Sequence, residues 1–362
     1  MPRLRYYITG HGLGHASRAC QIINTLRRRH PECSVEVVSD AHPWFFAGYL
    51  DPSVPVRRLS LDLGVLQQDS LVLQAEATLQ ACRAFYAHRV PALVAAEAAS
   101  LQQDGIDLVV ADIPPLAFAA AARAEIPVVG IANFTWEWIY AGLAETHPGY
   151  GDVLERVAAD YRQGDLLLRL PFGAPSTAIP RCEELPLVAR RGRRRPAEVR
   201  RQLGVAEDQR LALVSFGGFG LQGYDFAPLA QLRDWVFLTE AEQNWQHGSL
   251  RSLPSGLLPY PELVRAADVV ITKPGYGIVA EAIANDTAVL YTSRGQFREE
   301  PLLVAGLQRY TRSLEISNAA LRRGEWGPAL KQLLDLPQPQ QTLASDGDQV
   351  AADRLAQLAG VR

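Results

Sequence analysis

The sequence predicts an α/β protein of two doubly wound Rossmann-like domains facing each other across a cleft. Three observations carry that expectation. With 362 residues the chain suits two domains and is too long for one ordinary core. Short apolar runs alternate with segments of helical spacing, the pattern of strand–helix units on parallel sheets. Glycine-rich turns follow the runs that end near residues 8, 215 and 272. The first domain is expected over residues 1–180 and the second over 181–362, with packing of the last helix back on the first domain as an option.

Residues 4–8 read as the opening strand, which leaves into Thr9-Gly10-His11-Gly12-Leu13-Gly14-His15. Residues 16–29 follow as a helix, with Ala19, Ile22, Ile23 and Leu26 at helical spacing. A dinucleotide fingerprint fits Gly10, Gly12 and Gly14 only loosely, because the third glycine is misplaced. His15 stands where the loop meets the helix, at the carboxyl edge where open α/β sheets place their ligands. A neutral imidazole there suits a general base for a hydroxyl. For a single histidine, however, capping or loop hydrogen bonding by His11 or His15 is the commoner role.

Residues 71–103 read as one long helical stretch whose Gln, Glu and Arg positions form a solvated face. Residues 108–111 form a strand ending in Asp112, on the same edge as His15. A carboxylate on one imidazole nitrogen fixes the tautomer and stabilises imidazolium during proton abstraction. Capping the helix that follows Pro114 is the competing role for Asp112. Residues 126–131 are the next strand, and Trp136 and Trp138 leave it at that edge. These indoles either line a pocket for a sugar or an apolar acceptor, or pack the interdomain core.

Residues 166–170 close the first domain, and residues 171–186, with four prolines, read as the linker. The basic stretch 190–195 reads as a solvated surface, with contact to acidic lipid headgroups or phosphates as its functional alternative. A helix over 196–203 and a strand over 211–214 follow, the latter running into Gly217 and Gly218. Residues 235–238 are a strand and 262–267 a short helix.

Next comes an apolar run at 269–271, then Thr272-Lys273-Pro274-Gly275-Tyr276-Gly277, a helix over 278–284 and a strand at 288–291. Strand, glycine turn and helix together aim backbone N–H groups and a helix N-terminus at a phosphate. Gly275 and Gly277 are expected to allow positive φ and close approach of a ligand. Lys273 adds charge, and Glu281 lies where a carboxylate accepts hydrogen bonds from ribose hydroxyls. A tight turn that merely contains two glycines is an equal alternative.

The residues are 48% apolar and 21% charged with net charge -3, so no basic excess points to nucleic acid as a partner. Cys20, Cys33, Cys82 and Cys182 are scattered without a C-x-x-C pair, which favours reduced, mostly buried thiols over disulfides or a zinc site. The start of the chain lacks a signal-peptide core. No apolar run approaches the ~20 residues of a membrane span. A cytoplasmic location is expected, with peripheral membrane contact as an option.

The two domains resemble the GT-B fold of nucleotide-sugar-dependent glycosyltransferases. The Gly275-to-Glu281 spacing, followed by RGQFREEP at 294–301, is similar to their donor-site signature. A narrower resemblance is to the N-terminal glycosyltransferase-like region of plant L-arabinokinases. It rests on TGHGLGHASR (9–18), VADIPPLAFAAAA (110–122), NFTWEWIY (133–140), KPGYGIVAEA (273–282) and FREEPLL (297–303). The kinase activity of those proteins belongs to a separate GHMP-kinase domain, whose Ser-rich loop has no counterpart here, so no sugar kinase is predicted.

The resemblance implies an inverting, metal-independent glycosyltransferase using a nucleotide-diphosphate sugar, UDP-sugar favoured, with no further cofactor. The first domain would serve the acceptor, with His15 as base, Asp112 as its partner, and His11, Gly12, Gly14, Trp136 and Trp138 alongside. The second would hold the donor through Gly217, Gly218, Lys273, Gly275, Tyr276, Gly277, Glu281, Arg294, Glu299 and Glu300. Two features depart from the pattern: Lys273-Pro274 replaces a small or polar pair, and Glu299-Glu300 replaces the usual Asp/Gln. Both bear on the identity of the sugar. A sugar-nucleotide epimerase or hydrolase and a non-catalytic nucleotide-sugar sensor are the alternatives.

Overall fold

The computed structural model describes residues 1–68, 73–216, 223–241, 246–247, 249–254, 256–295 and 297–361. Among them, the first sheet contains β1 (Arg3–Ile8), β2 (Ser34–Ser39), β3 (Val56–Arg58), β4 (Leu108–Asp112), β5 (Val128–Ala132), β6 (Leu166–Arg169) and β7 (Cys182–Glu184). Its order is β3-β2-β1-β4-β5-β6-β7, parallel throughout. The second contains β8 (Arg210–Ser215), β9 (Trp235–Ala241), β10 (Gln246–His247), β11 (Leu250–Pro254), β12 (Val269–Thr272), β13 (Ala288–Tyr291) and β14 (Ser313–Glu315). Its order is β10-β11-β9-β8-β12-β13-β14, parallel except where β10 meets β11.

Strands β4, β5, β12 and β13 are buried at every position, as continuous Val/Ile/Leu/Ala runs must be when helices cover both faces of a parallel sheet. In each sheet the chain reverses its direction of winding beside the first strand. The switch point falls between β1 and β4 in one sheet and between β8 and β12 in the other. Crevices for ligands open at such points, outside the carboxyl ends of the strands.

One core cluster runs across the domain seam. It joins Ala16, Ala19 and Ile23 of the first domain to Tyr276, Val279, Ala280 and Leu303 of the second. The helix Gly347–Leu358 returns to the first domain and packs along the helix Leu13–Arg29, burying Ala351, Ala352 and Leu355. Arg354 seals this contact on Glu183, at 2.9 Å from Nε to Oε2.

Several expectations need correction. Residues 71–103 are not one helix: Ala75–His88 and Val90–Gln103 are separate, broken at Arg89. The cause is Pro91, which lacks an N–H and crowds the preceding turn. The first sheet also extends past the expected join at 180/181, because Leu167–Arg169 pair with Cys182–Glu184 inside the proline-rich stretch. Both glycine turns are shorter than expected, since their helices begin at Leu13 and at Tyr276. Cys20, Cys33 and Cys82 are buried free thiols, whereas Cys182 is exposed. No helix among the described residues is long and apolar enough to cross a membrane.

Candidate active site

The helix Leu13–Arg29 starts directly beyond β1, with Gly12 as its N-cap at φ 75°, a conformation that strains any side chain. Gly14 and His15 therefore lie in the first turn, over the switch point. His15 Nδ1 stands 2.8 Å from Oδ1 of Asp112, the fully buried last residue of β4. Arg18 follows three residues later on the same helix face. Its guanidinium grips Asp112 in bidentate fashion, Nε to Oδ2 at 2.6 Å and Nη2 to Oδ1 at 2.6 Å.

The network continues. Arg18 Nη1 donates to Asn133 Oδ1 at 2.8 Å, and Asn133 Nδ2 donates to Glu299 Oε1 of the second domain at 2.8 Å. Burial works to raise the Asp112 carboxyl, but the charges of Arg18 and His15 outweigh it and hold the group below the usual carboxylate range. Arg18 Nη2 also lies 3.0 Å from His15 Nδ1, which raises the question of the tautomer. A bare Nδ1 lone pair at 2.8 Å from a carboxylate oxygen is repulsive, and Nη2 already serves Oδ1 at 2.6 Å. His15 therefore carries its proton on Nδ1, donates it to Asp112, and keeps Nε2 as the basic nitrogen.

Beneath this pair lies an aromatic floor. Trp136 is fully buried, edge-on to His11 at 5.4 Å, and its Nε1–H donates to Asp62 Oδ2 at 2.8 Å. Burial, then the nearby His15, Arg294 and Lys273, push the His11 imidazole down to about 3, so it is neutral at ordinary pH. Gly64, at φ 58°, leaves room for it: a Cβ there would stand 2.5 Å from the ring.

Thr9 Oγ1 donates to the other Asp62 oxygen at 2.8 Å, yet burial pushes this carboxyl up to about 7. The folded value exceeds the unfolded 3.8, so the native state holds this proton more tightly and loses relative stability as pH rises from about 4 to 7. Asp62→Asn should therefore raise Tm more at pH 8 than at pH 5. A gain of equal size at both would show that Asp62 titrates normally.

On the second domain, Gly275 caps the helix Tyr276–Asn285 with extended backbone at φ -137°, and Gly277 lies inside its first turn. The expected positive φ is thus absent, because the helix starts earlier than the sequence suggested. The glycines supply space instead. Nothing lies within 4 Å of a Cβ at Gly275, and one at Gly277 would stand 3.4 Å from Gly14 Cα. The first turns of the two helices therefore touch, with the Arg18 guanidinium 4.9 Å from the Tyr276 ring centre.

Glu281 is buried, and its Oε1 accepts from Arg190 Nε at 2.6 Å, while Oε2 is buried without a partner. Burial raises its carboxyl, with the Arg190 charge working against the shift. Arg190 is therefore no solvated surface residue: it packs 4.6 Å over the Tyr49 ring because Glu281 draws it inward. Arg294 donates from Nη1 to the Pro274 carbonyl at 3.0 Å and lies 4.1 Å over Phe297. Its Nε is buried without a partner, and burial holds the guanidinium below its ordinary range.

Glu299 and Glu300 are both engaged within the protein. Glu299 binds Asn133 and lies 3.6 Å from Arg294, and Glu300 Oε2 accepts the Arg294 backbone N–H at 2.7 Å. Trp136 and Trp138 likewise pack instead of lining an open pocket, since Trp138 lies under Arg298, 4.8 Å from its guanidinium carbon, at the domain seam. Gly217 and Gly218 fall outside the described residues.

Arg18, Asn133 and Asp62 escaped the sequence reading as site residues, and Arg190 entered it only within the basic stretch 190–195. Two left a signal: Arg18 stands at i+3 from His15, and Asn133 directly follows a strand on the ligand edge. Asp62 and Arg190 left none, because their partners lie 53 and 91 residues away.

Residues 2–138 match glycosyl transferase family 1. The chain is 30% identical to L-arabinokinase of Arabidopsis thaliana over 98% of its own length, and it spans 34% of that protein. Among solved structures it is similar to CalG4, the calicheamicin glycosyltransferase (TM-score 0.61, 15% identity, 99% of this chain and 94% of that one). It is also similar to UGT2 of Phytolacca americana, solved with UDP-2fluoro-glucose and pterostilbene (TM-score 0.63, 14% identity, 99% and 94% covered). These likenesses show the fold, which is GT-B. The particular likeness is to that third of the plant L-arabinokinase.

Proposed function

We propose that the protein transfers a sugar from a nucleoside-diphosphate donor to an acceptor hydroxyl, with inversion and without a metal ion. The observation that carries this reading is the close approach of the two helix N-terminal turns, where a Cβ at Gly277 would stand 3.4 Å from Gly14 Cα. The orphaned buried atoms fit such a donor. Glu281 Oε2 is a free acceptor for ribose hydroxyls, and Arg294 Nε is a free donor for a diphosphate. Lys273 and the N-terminus of the helix Tyr276–Asn285 add positive potential beside it.

His15 Nε2 takes the acceptor proton as the hydroxyl oxygen attacks the anomeric carbon. The bond from that carbon to the diphosphate breaks, and the diphosphate leaves with the electron pair. Asp112 stabilises the imidazolium, and Arg18 holds Asp112 in place. The UDP sugar bound by UGT2 favours uridine as the base. No cofactor beyond the donor enters these steps.

A thermal-shift panel of UDP, dTDP, GDP, ADP and CDP tests the donor site. One nucleotide at about 100 times its dissociation constant should add about 2.7 kcal/mol of stability. Glu281→Gln should weaken that shift, because it exchanges an acceptor for an amide while keeping the shape. No shift with any of the five would count against a nucleotide site. Release of nucleoside diphosphate from a sugar nucleotide without an acceptor would favour a hydrolase instead.

A further inference from the structure

Behind the domain seam, a cavity of about 500 Å³ is walled by the helix Leu13–Arg29, residues 189–193 and the start of the helix Gly347–Leu358. None of the residues assigned above to proton transfer or to the glycine turns lines it. Its charged lining is Arg28, Arg29, Arg190, Arg191 and Arg193, against the single carboxylate of Asp348. That carboxylate is already engaged, accepting from Thr25 Oγ1 at 2.6 Å and from Gln21 Nε2 at 2.9 Å. Arg29 is paired with Asp353.

The remaining arginines are left with surplus charge. Among the described residues, the side chains of Arg191 and Arg193 have no partner, and Arg28 has only the Thr25 hydroxyl. Arg190 is fixed by Glu281 through Nε, yet its Nη1 is buried and unpartnered.

The backbone that presents these groups is pinned. Gly192 N–H donates to Asn285 Oδ1 at 2.9 Å, and the N–H groups of Arg193 and Arg194 donate to Glu262 at 2.8 and 3.0 Å. Gly192 itself is required, since a Cβ there would meet the Pro261 carbonyl at 2.8 Å. A freely solvated basic arm needs neither anchors nor a cavity.

We propose that this cavity is an anion site for a phosphate-bearing ligand, one carrying a diphosphate or phosphomonoester group. Guanidinium forks match phosphate oxygens two at a time, and clustered like charges in a concavity favour an anion between them. The volume lies within the range of small-molecule sites, roughly 300–1,000 Å³. The phosphate comes from either of two sources, a soluble phosphorylated compound or the headgroup of an acidic lipid.

The test titrates inorganic pyrophosphate into the full chain by calorimetry. It compares wild type with Arg28→Ser/Arg191→Ser/Arg193→Ser, three exposed positions, with Tm as the folding control, and with Lys273→Ala at the donor turn. The dissociation constant should rise about tenfold or more in the triple variant, a change of about 1.4 kcal/mol, and stay within about threefold in Lys273→Ala. Co-sedimentation with phosphatidylglycerol vesicles, against phosphatidylcholine, separates the sources. Vesicle binding that the triple variant loses assigns a lipid headgroup, and pyrophosphate binding alone assigns a soluble ligand. The proposal is overturned if neither probe binds, or if the triple variant binds both as wild type does.

Discussion

Replacing His15 by alanine should lower kcat by about 10²–10⁴-fold, the usual contribution of a positioned general base. The affinity for the nucleoside diphosphate should stay within a few-fold. On the proposed mechanism the two effects separate, because the base would act on the acceptor while Glu281, Arg294 and the Gly275 turn would serve the donor. The Nδ1–Asp112 bond of 2.8 Å commits the first nitrogen to the carboxylate, so Nε2 is the atom whose loss matters. Steady-state kinetics with the sugar nucleotide found by the binding panel, together with calorimetry, reads both numbers. Full turnover in His15→Ala would remove the base from the mechanism. Loss of nucleotide affinity with kcat preserved would make His15 a binding residue.

Arg18→Met should destabilise the fold by about 3–5 kcal/mol, the cost of stranding one partner of a buried ion pair. Asp112 has no exposed surface, and Arg18 supplies both of its bidentate contacts at 2.6 Å. Arg18→Met/Asp112→Asn should recover much of that loss, since no uncompensated charge then remains. Urea denaturation of wild type, both single variants and the double variant gives the coupling energy. A loss below about 1 kcal/mol in Arg18→Met would place the pair in the class of exposed bridges. The expectation has a functional side as well. Arg18 fixes Asp112, and Asp112 in turn orients the His15 ring.

Much of the site was legible because it depends on local signals. Strand β1 into Gly12 and β12 into Gly275 show as apolar runs broken by glycine, and a sheet edge gathers whatever follows such runs. That rule brought His15 and Asp112 together across 97 residues. It would equally have offered Asn133, the first residue past β5, had polar groups at strand ends been weighed alike. The basic stretch 190–195 misled in the opposite direction. Its composition suits a solvated surface, and only the buried Glu281 reveals that Arg190 points inward.

By itself the sequence determined the strands β1, β4, β5 and β6 of one sheet and β8, β9, β12 and β13 of the other, and the glycine turns through which the chain leaves them. These follow from hydrophobic periodicity and from the absence of a Cβ at a few positions, properties that need no distant partner. Only the tertiary structure decided the rest. It set Gly277 against Gly14 and engaged Glu299 with Asn133 across the seam. A side-chain pair separated by 166 residues leaves no periodic trace, because its geometry exists only once both sheets have formed and docked.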